Sequence, residues 1–515
     1  MSSDVLLATS VALPLLVGAL SLLARRHRAV QRALTAGMVL GLLTIGTSLV
    51  AVTRDGATIA ARIGAWPGGL AISLAADGFA SLFFVVATVM AALSIGFGVA
   101  RNEDDHLLFH PLVAVLLAGV LGSLLTADLF NLFVSFEVML IASYVLLTLR
   151  GGRRQVRAGA IYIGVNLLAS TAFLIGIALV YGTAGTVNLA ELAGVTTRLP
   201  ASTVGAVVVA AAIGVKASLV PMHGWLPRAY VEAGPAVTAL FSGLLSKAGV
   251  YVLFRLYSVV FSGDPTWQPL LLGVAGLTMV VGVFGAVGRG DVRGILAFHM
   301  VSQVGYLVLP LGLWSVAGIT AGIFYLLQYI LVKGALFIAA GTVETLTGTG
   351  QLNRLGGMVR VRPWLAVGFL LPALALAGIP PTSGFVGKYL LVRAAFEGEH
   401  WIAGAVAVVV SLFTLLSMVK IWNGVFWGER PAAPAHDPVG ATLGVPVPAG
   451  GSGSIAPPSP ALSRWRIAGM VGPTLVVGAV VVVLGITAQP LIDLIVPAAE
   501  ALVDPTVYIE AVSTA

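Results

Sequence analysis

Runs of about 17–25 apolar residues, separated by short polar gaps, recur from one end of this chain to the other. A helix needs about 20 such residues to cross about 30 Å of hydrocarbon, so each run predicts a membrane-spanning helix. The runs fall at 5–23, 31–52, 79–100, 111–126, 129–149, 159–181, 203–221, 234–257, 270–288, 293–313, 317–342, 364–394, 402–427 and 467–488. Fourteen spans put both ends of the chain on one side of a bilayer. Two spans are interrupted, the seventh after Lys216 in KASLVPMHGWLPRAYVEAGP and the twelfth before Lys388 in AGIPPTSGFVGK. Proline removes a backbone donor, which a membrane tolerates only where protein or water satisfies the freed groups. Broken helices in the two halves of a chain point to an ion path, and breaks five spans apart suggest an approximate five-helix repeat.

The pattern divides the chain into a three-helix segment (1–110), two five-helix units (111–257 and 258–428, spans 4–8 and 9–13) and a last span with an external tail (467–515). Between the second unit and the last span, residues 429–466 are rich in Pro, Ala and Gly with almost no large apolar side chains. Such a segment cannot bury a core and predicts a disordered cytoplasmic linker. The first apolar run has no basic residues before it and reads as a spanning helix, not a cleaved signal peptide.

Composition agrees. Hydrophobic residues make up 58% of the chain and charged residues 10%, against about 25% charged in a soluble domain. With a mean hydropathy of +1.02, this is an all-α integral membrane protein. Eighteen arginines occupy the odd-numbered gaps and five the other side, so the odd gaps face the cytoplasm and both termini point outward. The net charge of +7 therefore reflects topology and not nucleic-acid binding. There is no cysteine, and seven scattered histidines show no ligand spacing. Disulfides, iron–sulfur clusters and thiolate metal sites are excluded, and no cofactor or metal is expected.

The charges inside the spans carry the chemistry. All five lysines (Lys216, Lys247, Lys333, Lys388 and Lys420) fall within apolar runs, while the arginines cluster in the gaps. A cation at mid-bilayer costs about 2.5–3.5 kcal/mol on insertion scales. An amine taken out of water gives up its proton more readily, whereas a guanidinium never does. The segregation suggests that protons are moved. Glu137 is the one carboxylate deep within a span. It reads either as half of a static ion pair or as a modulator whose charge keeps the proton on Lys216 until the pair opens. Lys247, Lys333 and Lys388 then form a chain of exchange sites, which His299 could join or merely flank as a structural histidine with Ser302 and Gln303 one turn away. Lys420, near Trp422 and Trp427, reads as a snorkelling side chain. His223 reads as a cap on unwound backbone, and Arg255, Asp128 and Glu344 as interfacial.

The segment KASLVPMHGWLPRAYVEAGPAVTALFSGLLSKAGVYVLFRLY resembles the signature of the proton-pumping antiporter-like subunits of respiratory complex I, membrane-bound hydrogenases and Mrp-type sodium/proton antiporters. DVRGILAFHMVSQVGYLVL, LLQYILVKGALFIAAGTVE and AGIPPTSGFVGKYLLV are similar to its tenth, eleventh and twelfth helices, and the likeness spans roughly residues 75–428. HMVSQVGY, KIWNGVFWG and a lysine on the twelfth helix make it most similar to the Mrp D subunits. The resemblance implies fourteen helices with two inverted five-helix repeats. It also implies a proton relay through Glu137, Lys216, Lys247, His299, Lys333 and Lys388. The implied function is a subunit of a sodium/proton antiporter complex in a bacterial cytoplasmic membrane, with further subunits as partners and sodium handled largely by another subunit. A redox-driven pump with the same relay and a membrane scaffold with idle charges are the alternatives.

Overall fold

A computed structural model describes residues 3–64, 71–429 and 462–515. The chain starts with α1 (Ser3–Leu23) and α2 (Arg28–Thr53), then a hairpin of β1 (Ile59–Ile63) and β2 (Ile72–Ala76). Next come α3 (Gly78–Arg101), α4 (Phe109–Leu125), α5 (Leu129–Thr148) and α6 (Arg153–Ala184). The short α7 (Val195–Arg198) leads into α8 (Pro200–Ala217), the short α9 (Trp225–Ala229) and α10 (Pro235–Val259). Then follow α11 (Gln268–Val287), α12 (Val292–Leu313), α13 (Val316–Thr347), the short α14 (Met358–Val361), α15 (Pro363–Ala377), α16 (Ser383–Glu397) and α17 (Trp401–Trp422). The chain closes with α18 (Arg464–Ile486), α19 (Gln489–Val503) and α20 (Thr506–Thr514). Among the described residues twelve helices are long and apolar enough to cross a membrane, and α4 and α15 are apolar but shorter. The linker expected at 429–466 lies, over 430–461, outside the described residues.

Helix starts are capped where the bundle would otherwise leave amides without partners. Asp77, Asp128, Asp291 and Ser315 each accept a hydrogen bond from the backbone N–H three residues on, opening α3, α5, α12 and α13. In hydrocarbon, no water stands in for a missing cap.

Burial sorts the helices. The apolar windows of α10 and α13 are wholly buried and that of α12 is 94% buried, while those of α11, α17 and α18 are only 33% buried. Lys247, His299 and Lys333 therefore sit on the three central helices. Both breaks fall inside predicted spans, just before Pro221 and Pro380. α8 ends at Ala217 with Ser218 in the left-handed region (φ 67°), and α15 ends at Ala377 with Gly378 there (φ 85°).

The hairpin and the two C-terminal helices go beyond what the apolar runs predict. The tail after the last span is not loose: α19 packs on α13, α3 and α10, and α20 packs on the hairpin, where Arg62 donates to the Ser513 carbonyl at 2.9 Å.

Candidate functional site

The first cluster forms where α5, α6 and α8 meet. Lys216 Nζ lies 3.8 Å from Glu137 Oε1, and Ser170 of α6 stands between them. Lys216 donates to Ser170 Oγ at 2.8 Å, and that hydroxyl donates to Glu137 Oε1. The Lys216 side chain is 2% exposed and that of Glu137 23%. The lysine is thus enclosed, while the carboxylate keeps one side open. The Phe136 ring covers Lys216 at 5.5 Å. Lys216 is two residues from Ser218, so the unwinding at the end of α8 begins next to the pair.

From there the chain steps to α10. A Cβ at Gly249 would stand 3.0 Å from the Ala217 amide, so glycine there lets α8 and α10 touch at the level of Lys216 and Lys247. Lys247 is fully buried. Its ammonium donates to the Ser242 carbonyl at 2.5 Å and to Ser246 Oγ at 3.2 Å, and it faces the Tyr329 ring at 4.6 Å.

Lys333 and His299 are also fully buried. Among the described residues Lys333 Nζ and both ring nitrogens of His299 have no hydrogen-bond partner. Unsatisfied polar atoms this deep are costly unless water or a moving group serves them. Lys333 lies one helical turn beyond Tyr329, whose ring faces Lys247. Lys388 closes the row at the second break, donating to Ser411 Oγ at 2.8 Å and to the Ala377 carbonyl at 3.3 Å. Gly378 is required beside it, since a Cβ would meet Lys388 Cδ at 2.8 Å.

Other expectations fared unevenly. Lys420 snorkels as expected, donating to the Val287 and Arg289 carbonyls at 2.9 and 2.6 Å with its head exposed. Ser302 and Gln303 do not serve His299: the first donates to the Met279 carbonyl at 3.0 Å and the second accepts from Tyr325. His223 Nδ1 has no hydrogen-bond partner among the described residues. Arg255 is not interfacial. It is 4% exposed and pairs with Asp77 at 2.6 Å, because the folded tail covers the end of α10 that would otherwise meet water. Ser170 and Ser411 escape sequence reasoning. Only contact between distant helices singles them out, since serines are common along these spans. Among the described residues no three His, Asp or Glu side chains gather as a metal site.

Comparison with known proteins places this geometry. The family described as NADH:quinone oxidoreductase/Mrp antiporter, TM, matches residues 126–414. The D subunit of a Na(+)/H(+) antiporter from Alkalihalophilus pseudofirmus is 37% identical over 509 residues, covering 98% of each chain. Its counterpart from Bacillus subtilis is 36% identical over 408 residues, 78% of this chain and 82% of that one. Among solved structures, a chain of the Mrp complex from Dietzia sp. DQ12-45-1b superposes with a TM-score of 0.92 at 39% identity, over 99% of this chain and 100% of that one. A chain of respiratory complex I from Thermus thermophilus shares the fold, with a TM-score of 0.79 at 24% identity over 96% and 99%. This chain belongs to the NADH:quinone oxidoreductase/Mrp antiporter family, within its branch of antiporter D subunits.

Proposed function

We propose that this chain is the proton-conducting subunit of a multisubunit sodium/proton antiporter in a bacterial cytoplasmic membrane. The observation that carries this reading is the Glu137–Ser170–Lys216 chain at the first break, followed by a row of buried amines leading to the second. Glu137 holds the ammonium of Lys216 in the closed state. When the pair opens, the charge that kept the proton there is withdrawn and the proton passes to Lys247. Lys333 and His299, which lack hydrogen-bond partners among the described residues, exchange through water entering the gap, and Lys388 discharges beside the second break. The fourteen-span count takes in α4, the broken α15–α16 pair and the interrupted α8–α9 segment. In this reading two inverted five-helix repeats (111–257 and 258–428) place the breaks symmetrically, and both termini face outward.

A charge moving down 100 mV releases about 2.3 kcal/mol, so inward proton flow can power cation export. Among the described residues no three His, Asp or Glu side chains gather at the relay, and Glu137 is already held by Ser170 and Lys216. The cation path is therefore assigned to another subunit.

The test is sodium-dependent proton flux in proteoliposomes holding the complex purified from its native membrane. Glu137→Gln and Lys216→Ala should each abolish flux at normal protein level. Full flux in both would reduce the chain to a scaffold. Co-purification with flavin or iron–sulfur proteins would instead make it the pump arm of a redox complex.

A further inference from the structure

Tyr306 on α12 and Tyr325 and Tyr329 on α13 are fully buried in the central helices. Tyr325, Tyr329 and Lys333 recur every fourth residue and so share one face of α13. The Tyr325 and Tyr329 rings stack with centroids 6.0 Å apart and planes 11° from parallel, and Tyr325 lies 5.8 Å from Tyr306. At one end of this row the Lys247 ammonium sits 4.6 Å from the Tyr329 centroid. At the other, the Lys388 ammonium sits 4.6 Å from the Tyr306 centroid. Three neighbouring rings thus run from the central lysine of the first unit to the terminal lysine of the second.

What the lysines meet is ring face, not hydroxyl. Tyr306 donates its O–H to the Ala407 carbonyl at 2.5 Å, and Tyr325 donates to Gln303 Oε1. The Tyr329 hydroxyl has no partner among the described residues. No carboxylate pairs with Lys247 or Lys388 among those residues, whose other partners are carbonyls and serine hydroxyls. An aromatic face attracts a cation through its quadrupole, most strongly where water is excluded.

We infer that Tyr329 and Tyr306 are cation seats. Their ring faces hold the ammonium groups of Lys247 and Lys388 in place for proton exchange, and Tyr325 fixes the spacing between the two seats. They are positioning residues, and the inference rests on the relay proposed above.

The experiment measures sodium-dependent proton flux by the assembled complex at matched protein level. Tyr329→Phe keeps the ring face and should stay within about twofold of wild type, whereas Tyr329→Leu should lose about tenfold. Replacing Tyr329 by phenylalanine carrying one, two or three ring fluorines weakens the face stepwise while barely changing its size, so log flux should fall with each fluorine. A flat fluorine series overturns the inference. So does a Tyr329→Phe variant as impaired as Tyr329→Leu, which would make the hydroxyl the working part. The fluorine series stays decisive if the leucine variant fails to accumulate. Lys247→Ala is run alongside. Full flux there sinks the relay and the seats together, while lost flux there with a flat fluorine series sinks the seats alone.

Discussion

Two of the carboxylate–cation pairs among the described residues, Asp77–Arg255 and Glu137–Lys216, are built differently. Asp77 and Arg255 meet directly at 2.6 Å, with side chains 1% and 5% exposed. Asp77 also caps α3 through the Ala80 amide at 2.9 Å. Arg255 donates to the Tyr251 hydroxyl at 3.1 Å and lies 4.2 Å from the centre of the Tyr508 ring of α20. Glu137 and Lys216 instead stand 3.8 Å apart with a serine hydroxyl between them, next to a point where a helix unwinds. The first pair uses a cation that never releases its proton and is gripped from several sides. The second uses one that can, with a partner that a small rotation could free. An ion pair in an apolar interior is therefore a clamp or a valve according to which cation it uses and how tightly both ends are held.

The largest effect that would break this contrast is on stability. Arg255→Met strands Asp77 as an unpaired buried charge and should cost about 3–5 kcal/mol. Thermal unfolding in detergent should show it, with flux per folded molecule unchanged. A variant that keeps its midpoint but loses flux would move Arg255 from the clamp to the relay.

Next is Lys216→Arg, which keeps the charge and removes the exchangeable proton. Flux should fall about a hundredfold, with the unfolding midpoint unmoved, when both are measured on the same preparation. Equal flux would show that the pair at Lys216 works as the one at Arg255 does.

The valve is more legible in sequence than the clamp. Glu137 and Lys216 stand out as charges within long apolar runs, and Pro221 and Pro380 announce the two breaks. Those signals are local, arising from what hydrocarbon does to a charge or to a missing N–H. Arg255 lies near the end of its run, where position alone suggests the interface. Only the folding of α19 and α20 over that end, with Ser258 donating to the Leu502 carbonyl at 2.5 Å, buries it. That tail is short, carries several charges and opens with proline, so run length gives no hint that it packs. Ser170 likewise becomes informative only once α6 is laid against α5 and α8. Tyr325, Tyr329 and Lys333 do leave a trace, an aromatic–aromatic–lysine stripe every fourth residue, which is lost among many other aromatics.

A smaller effect sharpens the contrast. Ser170→Ala removes the hydroxyl that joins Lys216 to Glu137, a net loss of about 1 kcal/mol, and flux should fall about fivefold. Ser258→Ala is the matching change beside the clamp and should leave flux at wild-type level. Both are read in the same proteoliposome assay. Equal losses would mean that neither serine reports on the pair beside it.

The smallest effect comes from a third pair, at the rim, which tests whether exposure alone separates weak pairs from strong ones. Arg32 and Asp104 meet at 2.6 Å, but the arginine side chain is 41% exposed. His110 Nε2 lies 3.5 Å from the same carboxylate oxygen. Burial pushes the Asp104 carboxyl up, yet hydrogen bonds from His110 and Arg32 outweigh it and hold the group down at about 2. A carboxylate whose proton affinity is depressed by folding stabilises the protein above its unfolded value, about 4, and loses that contribution as pH falls through the folded value. Solvent around Arg32 screens the pair, so Asp104→Asn should cost no more than about 1 kcal/mol at neutral pH. The gap between wild type and Asp104→Asn in thermal midpoint should narrow as pH drops from about 4 through about 2, below which both forms carry a neutral side chain. A gap that stays constant across that window would show that shape and hydrogen bonding hold the rim, and that charge at position 104 contributes nothing there.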